Sequence, residues 1–220
     1  RNLDVAKKTR NDEFYTRYED IERELVNYWD DLRGKRVLLN CDTKESNFYK
    51  YFKDYFHEIG IESVTATSFR NGVDSLGGRK VVYDGQVEVE EHLSGGGSFD
   101  SEEVLGELGK SDIVVTNPPF SLFRNFVDVL VESGKKFVVI GSLNAVTYKN
   151  VFPLIKEGKL FFGTNNVNKF INPKGEEISF GNIVWYTNIE QSKKGKLKLE
   201  KTYKEGEYKF FDGYNVLNVD

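Results

Sequence analysis

An α/β fold is predicted, with a mostly parallel sheet, an antiparallel hairpin at its edge and a second, inserted hairpin. Three features of the sequence predict it. Short continuous apolar runs (Val37–Leu39, Ile113–Val115, Phe137–Ile140) read as strands buried on both faces. Amphipathic stretches of helical length alternate with them. The late apolar runs crowd together around turn residues at Pro173–Gly175 and Lys194–Gly195, as antiparallel edge strands do.

Each element follows in order. Ile21, Leu25, Tyr28, Trp29 and Leu32 recur at helical spacing and predict a helix over Asp20–Leu32, stopped by Gly34. Lys35–Cys41 is a buried strand. Ser46 caps an aromatic helix running to Glu58, and Gly60 ends it. Ser63–Ser68 is the second strand. Lys80–Val89 alternates around Asp84–Gly85, a signal for a two-residue hairpin turn. Ser94–Ser98 is a glycine-rich loop. Ser101–Leu108 is a short helix with acidic residues at its start, where the helix dipole favours them. Asp112–Thr116 is a strand, Ser121–Glu132 a helix, Lys136–Ile140 a strand and Tyr148–Lys156 a helix. Leu160–Phe162, Ile183–Thr187 and Leu197–Lys201 complete the strands.

The 220 residues are 39% hydrophobic and 30% charged, enough for one large domain or a tight pair. No apolar run nears the roughly 20 residues of a membrane span, and Arg1–Arg10 lacks the apolar core of a signal peptide. One cysteine and two histidines, His57 and His92, exclude an internal disulfide and a Cys/His zinc site, so no metal is expected. The chain begins with arginine and contains no methionine. The expectation is a soluble protein of a reducing compartment.

The net charge of −4 gives no whole-molecule attraction to nucleic acid. The charge is uneven, however. Asp84–Glu107 holds eight acidic residues and no Lys or Arg, whereas Lys193–Lys209 holds seven lysines against three glutamates. The bland reading is two solvated faces. The sharper one has the basic stretch meeting phosphates. The organisation expected is a catalytic core over 1–190, with the inserted hairpin at about 78–92, then a basic segment over 191–220.

Asn117-Pro118-Pro119-Phe120 carries the chemistry. It directly follows a predicted strand and precedes a helix, and ligands of open α/β sheets bind beyond the carboxyl ends of strands. Two of the chain's four prolines are adjacent here. A pattern of this kind arises by chance in about one chain in a hundred of this length, and the alternative is a rigid turn ending a strand. The exocyclic amine of a nucleobase is a poor nucleophile because its lone pair is delocalised into the ring. Two hydrogen-bond acceptors, the Asn117 carboxamide oxygen and the Pro118 carbonyl, would draw the nitrogen toward tetrahedral geometry and free that pair. The prolines, Pro119 included, would hold both acceptors preorganised. Phe120 offers a face on which an extruded base can stack.

The run Ser111–Arg124 around this motif resembles the EcoRI-type adenine-specific DNA methyltransferases. So do Asn11–Thr16 (NDEFYT), Asn40-Cys41-Asp42 followed by Ser46-Asn47-Phe48, Asn144–Tyr148 and Phe180–Trp185. The resemblance extends from about Asp12 to the last residue. It implies a Rossmann-like fold, S-adenosyl-L-methionine as methyl donor, and adenine N6 of double-stranded DNA as acceptor. Phe14, Tyr15 and Thr16 would hold the donor's methionine end. Asp42 would accept from its ammonium group, with Ser46 and Asn47 standing where glycines are usual. The glycine-rich loop carries Gly96 and Ser98 in place of expected acids, so Asp100 would substitute and Phe99 would pack on the donor's adenine. Lys193, Lys194, Lys196 and Lys198 would contact phosphates, at the start of a DNA-recognition region extending beyond Asp220. The resemblance further implies a bacterial or phage origin, a cytoplasmic, nucleoid-associated setting, and a restriction endonuclease of matching specificity as a partner where one is paired. Competing readings are methyl transfer to an RNA base or a protein glutamine, and a nucleic-acid-binding fragment with impaired catalysis.

Overall fold

A computed structural model of the chain describes residues 14–69, 77–172 and 174–190. In order, these form β1 (Tyr15–Thr16), α1 (Tyr18–Leu25), a 3-10 turn (Val26–Tyr28), α2 (Trp29–Leu32), β2 (Arg36–Leu39), α3 (Asn47–Asp54), α4 (Phe56–Ile59), β3 (Ser63–Ser68), β4 (Arg79–Tyr83), β5 (Glu88–His92) and α5 (Glu102–Lys110). There follow β6 (Ile113–Thr116), a 3-10 turn (Phe120–Leu122), α6 (Phe123–Ser133), β7 (Lys136–Ser142), a 3-10 turn (Leu143–Thr147), α7 (Phe152–Lys156), β8 (Phe161–Asn166), β9 (Lys169–Ile171), β10 (Glu177–Ser179) and β11 (Ile183–Thr187).

The main sheet runs β5-β4-β3-β2-β6-β7-β11-β8. Its four central strands are parallel. The antiparallel pairs β4–β5 and β8–β11 flank them. Alternate residues of the central strands bury on opposite faces, as the two-residue period requires. Val37, Leu39, Ile113 and Val115 pack with α1 to α4, whereas Leu38 and Val114 pack with α5 and α6. This is the Rossmann-like α/β fold expected.

The expected aromatic helix ends at Tyr55 and resumes as α4, and Gly60 in the left-handed region closes it. The helix expected over Asp20–Leu32 is broken by a 3-10 turn. There the Asn27 amide donates to the carbonyls of Arg23 and Glu24, competing with the helical pattern. The segment expected to be helical from Tyr148 enters α7 only at Phe152. The hairpin turn is longer than the sequence suggested. Tyr83 pairs with Glu88, so four residues form the loop, and the Asp84 carboxylate accepts from the Gln86 and Val87 amides. β4 also pairs with β3, so the hairpin extends the main sheet.

A second, three-stranded antiparallel sheet, β1-β9-β10, was not foreseen. Tyr15 pairs with Ile171 and Thr16 with Phe170, bringing the N-terminal segment to the late strands. The strand expected at Leu197–Lys201 and the lysines of 193–198 lie outside the described residues.

Candidate active site

The chain leaves β2 for β3 on one side and returns to β6 on the other, so the carboxyl ends of β2 and β6 flank a topological switch point. A cavity of about 270 Å³ opens there. Asn40, Cys41, Asp42, Ser46 and Asn47 line it after β2, and Phe14, Tyr15 and Thr16 from the second sheet. Ser68 and Phe69 after β3, Gly97 to Phe99 of the glycine loop, and Asn117 and Pro119 after β6 complete the wall.

The Asn117 carboxamide is fixed in one orientation. Its Nδ2 donates to the Phe14 carbonyl at 2.7 Å. A carbonyl can only accept, so the amide cannot be turned about. Its Oδ1 is buried without a partner, an acceptor held ready at the cavity. The Pro119 carbonyl is spent on the Leu122 amide at 3.0 Å, the bond that begins the 3-10 turn after the motif. Pro118 and Phe120 are not among the residues lining the cavity. The half-buried Phe120 ring packs edge to face with Phe170 (6.0 Å) and Phe180 (6.4 Å), and Phe180 in turn meets Phe14 (4.8 Å).

The residues after β2 divide their work. Ser46 caps α3 by accepting from the Tyr49 amide, as expected, and also lines the cavity. Asn47 Nδ2 donates to the Thr16 carbonyl at 2.8 Å. Asp42 accepts from the Thr116 hydroxyl at 2.5 Å, which ties the end of β2 to the residue before Asn117. Burial pushes the Asp42 carboxyl up to about 7, against the opposing effect of bonds from Thr116 and Ser46. Burial also pushes the Cys41 thiol up.

The glycine loop departs from expectation in one respect. Phe99 lines the cavity, with its ring edge to face on Phe126. Asp100 does not. It is exposed and accepts from the Ser98 hydroxyl, because the chain turns there toward the start of α5. Gly97 is needed for space as well as for its φ of +75°. A Cβ there would stand 2.5 Å from the Ser68 carbonyl.

Sequence reasoning passed over Asn40 as a site residue. It is 1% exposed and lines the cavity, and neither end of its carboxamide has a partner. The hydroxyl of Thr16, which also lines the cavity, is likewise buried and unpartnered. A buried polar group left unpaired costs ~1–3 kcal/mol, so these atoms fit a polar ligand. The signal was its place at the end of a buried strand, within the Asn40-Cys41-Asp42 run. Among the described residues no cluster of three metal-ligating side chains occurs, and no helix is long and apolar enough to cross a membrane.

A doubly covered sheet with a polar cavity at its switch point, and a proline-stiffened turn presenting an oriented amide oxygen, is the arrangement that the resemblance to amine-directed methyltransferases implies. The comparisons make this specific. Residues 2–220 match the family described as adenine-specific methyltransferase EcoRI. The chain is 38% identical to Type II methyltransferase M.MpnI of Mycoplasma pneumoniae, over 97% of this chain and 73% of that protein. It is 38% identical to Type II methyltransferase M.EcoRI of Escherichia coli, over 99% of this chain and 78% of that protein. A third relative, Type II methyltransferase M.MgeORF184P of Mycoplasma genitalium, is 34% identical over 98% of this chain and 74% of that protein. No solved structure matches. The chain belongs to the adenine-specific methyltransferase EcoRI family and is an adenine-specific methyltransferase.

Proposed function

We propose that the chain transfers a methyl group from S-adenosyl-L-methionine to N6 of an adenine extruded from duplex DNA. It would do so at one recognition sequence, as the modifying half of a bacterial, cytoplasmic restriction–modification pair. The observation that carries this reading is the Asn117 carboxamide, oriented by the Phe14 carbonyl with its oxygen buried and unpartnered.

Asn117 Oδ1 accepts one N–H of the adenine amine. The Pro118 carbonyl, between the cavity-lining residues Asn117 and Pro119, would accept the other. Both bonds strengthen as the nitrogen becomes tetrahedral and acquires positive charge, so they favour the transition state over the ground state. The nitrogen sheds its proton after attack, and no strong base is needed. The aromatic group of Phe120, Phe170 and Phe180 backs the turn against displacement.

The donor, when bound, supplies an electrophilic methyl on a sulfonium. Asn40 and Thr16 would hold its amino-acid end. A carboxamide that both donates and accepts suits a neighbouring carboxylate and ammonium, and Asp42 adds a further acceptor. Phe69 and Phe99 would flank its base. The lysines at 193, 194, 196 and 198 would position the duplex through phosphates, without reading sequence. The core over 1–190 and the basic segment over 191–220 are the corresponding division of labour.

The test is methyl transfer from labelled donor to unmethylated DNA, RNA and protein in parallel, followed by sequencing of modified bases. N6-methyladenine in DNA at one sequence is expected. Label confined to RNA or protein would refute the DNA reading.

A further inference from the structure

Two carboxamides grip the same short segment, Phe14–Thr16. Asn117, after β6, donates to the carbonyl of Phe14, and Asn47, at the start of α3, donates to the carbonyl of Thr16. The two carbonyls stand two residues apart on one extended segment. The start of α3 is thereby linked to the reacting turn through three residues of backbone. β1 has only two residues paired with β9, and the Phe14 ring against Phe180 and the Arg17–Glu177 ion pair add to its hold. So short a strand is held mainly by what grips it from the side. Loss of the Asn47 bond would let the Thr16 end shift, and the Phe14 carbonyl that orients Asn117 would shift with it.

We infer that Asn47 is a positioning residue for catalysis, acting on Asn117 through the Phe14–Thr16 segment rather than by contact with the donor. The inference rests on the reading of Asn117 given above. It gives Asn47, which lines the cavity and commits one amide N–H to the Thr16 carbonyl, a positioning role in place of the donor-contacting role that the sequence suggested.

The test uses the full chain with Asn47→Asp and Asn47→Ala. Aspartate matches asparagine in shape but cannot donate to a carbonyl when ionised. Donor affinity is measured by calorimetry with S-adenosylmethionine. The single-turnover methylation rate is measured on unmethylated genomic DNA at saturating donor, and folding by thermal melting. The expected result is a rate lower by about tenfold or more in both variants, since misplacement by ~1 Å costs up to ~10²-fold. Donor affinity should fall by less than the saturated rate does, since Thr16 is one of several residues that would hold the donor, whereas the Phe14 carbonyl is what orients Asn117. Asn47→Gln, which restores a donating amide, should recover part of the rate while Asn47→Glu does not. This longer pair decides the matter if the Asp variant melts early. Weakened donor binding with an unchanged saturated rate would overturn the inference and return Asn47 to the donor. Equal rates for the Gln and Glu variants would overturn it too. An unaltered chain that methylates no DNA would instead strike the proposed function, so the two failures are distinguishable.

Discussion

The cavity at the carboxyl ends of β2 and β6 and the β4–β5 hairpin at the sheet edge are both rich in polar side chains, and they treat them in opposite ways. On the hairpin, acids find cations. Glu88 meets Lys53 at 2.6 Å, Glu90 meets both Lys44 and Arg79, and Glu91 meets Lys80 at 2.8 Å. The paired cations, Lys44 first, hold the Glu90 carboxyl down to about 2. At the cavity, Asn40, Thr16 and Asn117 keep buried polar atoms without partners. Thr67 Oγ1, Trp185 Nε1 and Asn150 Oδ1 are also unpartnered, but they belong to residues away from the cavity lining. The lesson is that polar density alone does not mark a site. What marks it is unspent polar capacity gathered around one cavity, where a ligand can repay the desolvation.

The contrast can be broken or sharpened by substitution. The largest effect is expected at Asn117→Ala, which removes the oriented acceptor. Turnover should fall by on the order of 10²–10³ or more, judging from the loss of a single preorganised hydrogen bond elsewhere. Circular dichroism and donor affinity should stay near those of the unaltered chain. A variant with undiminished rate would end the assigned role.

Next is Asn40→Val, which exchanges an unpaired amide for an apolar side chain. The ligand-free protein should melt higher, since a penalty of ~1–3 kcal/mol is removed. Donor affinity should drop by about tenfold, the loss of ~1.4 kcal/mol expected for one good hydrogen bond. Lower stability with intact affinity would make Asn40 a structural residue.

The third effect concerns pH. The folded chain holds a proton on Asp42 up to about pH 7, above the ordinary carboxyl value of 3.8. Between these values the unfolded chain has released the proton and the folded chain has not. This group's contribution to stability therefore falls as pH rises through that window and is gone above it. Asp42→Asn should flatten that part of the stability profile in thermal melts at pH 4 to 8. An unchanged slope would show that the carboxyl ionises normally.

The smallest effect is expected on the hairpin. Glu88→Gln breaks a half-exposed pair with Lys53 and should cost about 1 kcal/mol or less. Methyl transfer should be unchanged, and a large loss of activity would abolish the distinction between the two regions.

Much of this was legible in the residues. The strands Ser63–Ser68 and Ile183–Thr187 fall where the apolar pattern placed them, and Ser46 caps its helix as its side chain foretold. These depend on neighbours in sequence. β1, β9 and β10 were missed because each has two or three residues and none is stable alone. Their pairing joins Tyr15 to Ile171, across most of the chain, and no local pattern announces it. Asp100 was misjudged for the reverse reason, since its residue type suited the donor but the turn into α5 directs it elsewhere.

The sequence by itself determined the alternating α/β order, the proline-stiffened turn after a buried strand and the family, because strand periodicity and a short contiguous motif are local properties. Only the tertiary structure decided which way the Asn117 amide faces, that Asn40 is left unpaired and that the Phe14–Thr16 segment is gripped from both ends. Those facts depend on which carbonyl lies within 3 Å of which nitrogen across more than a hundred residues of chain, a distance set by packing rather than by order along the polymer.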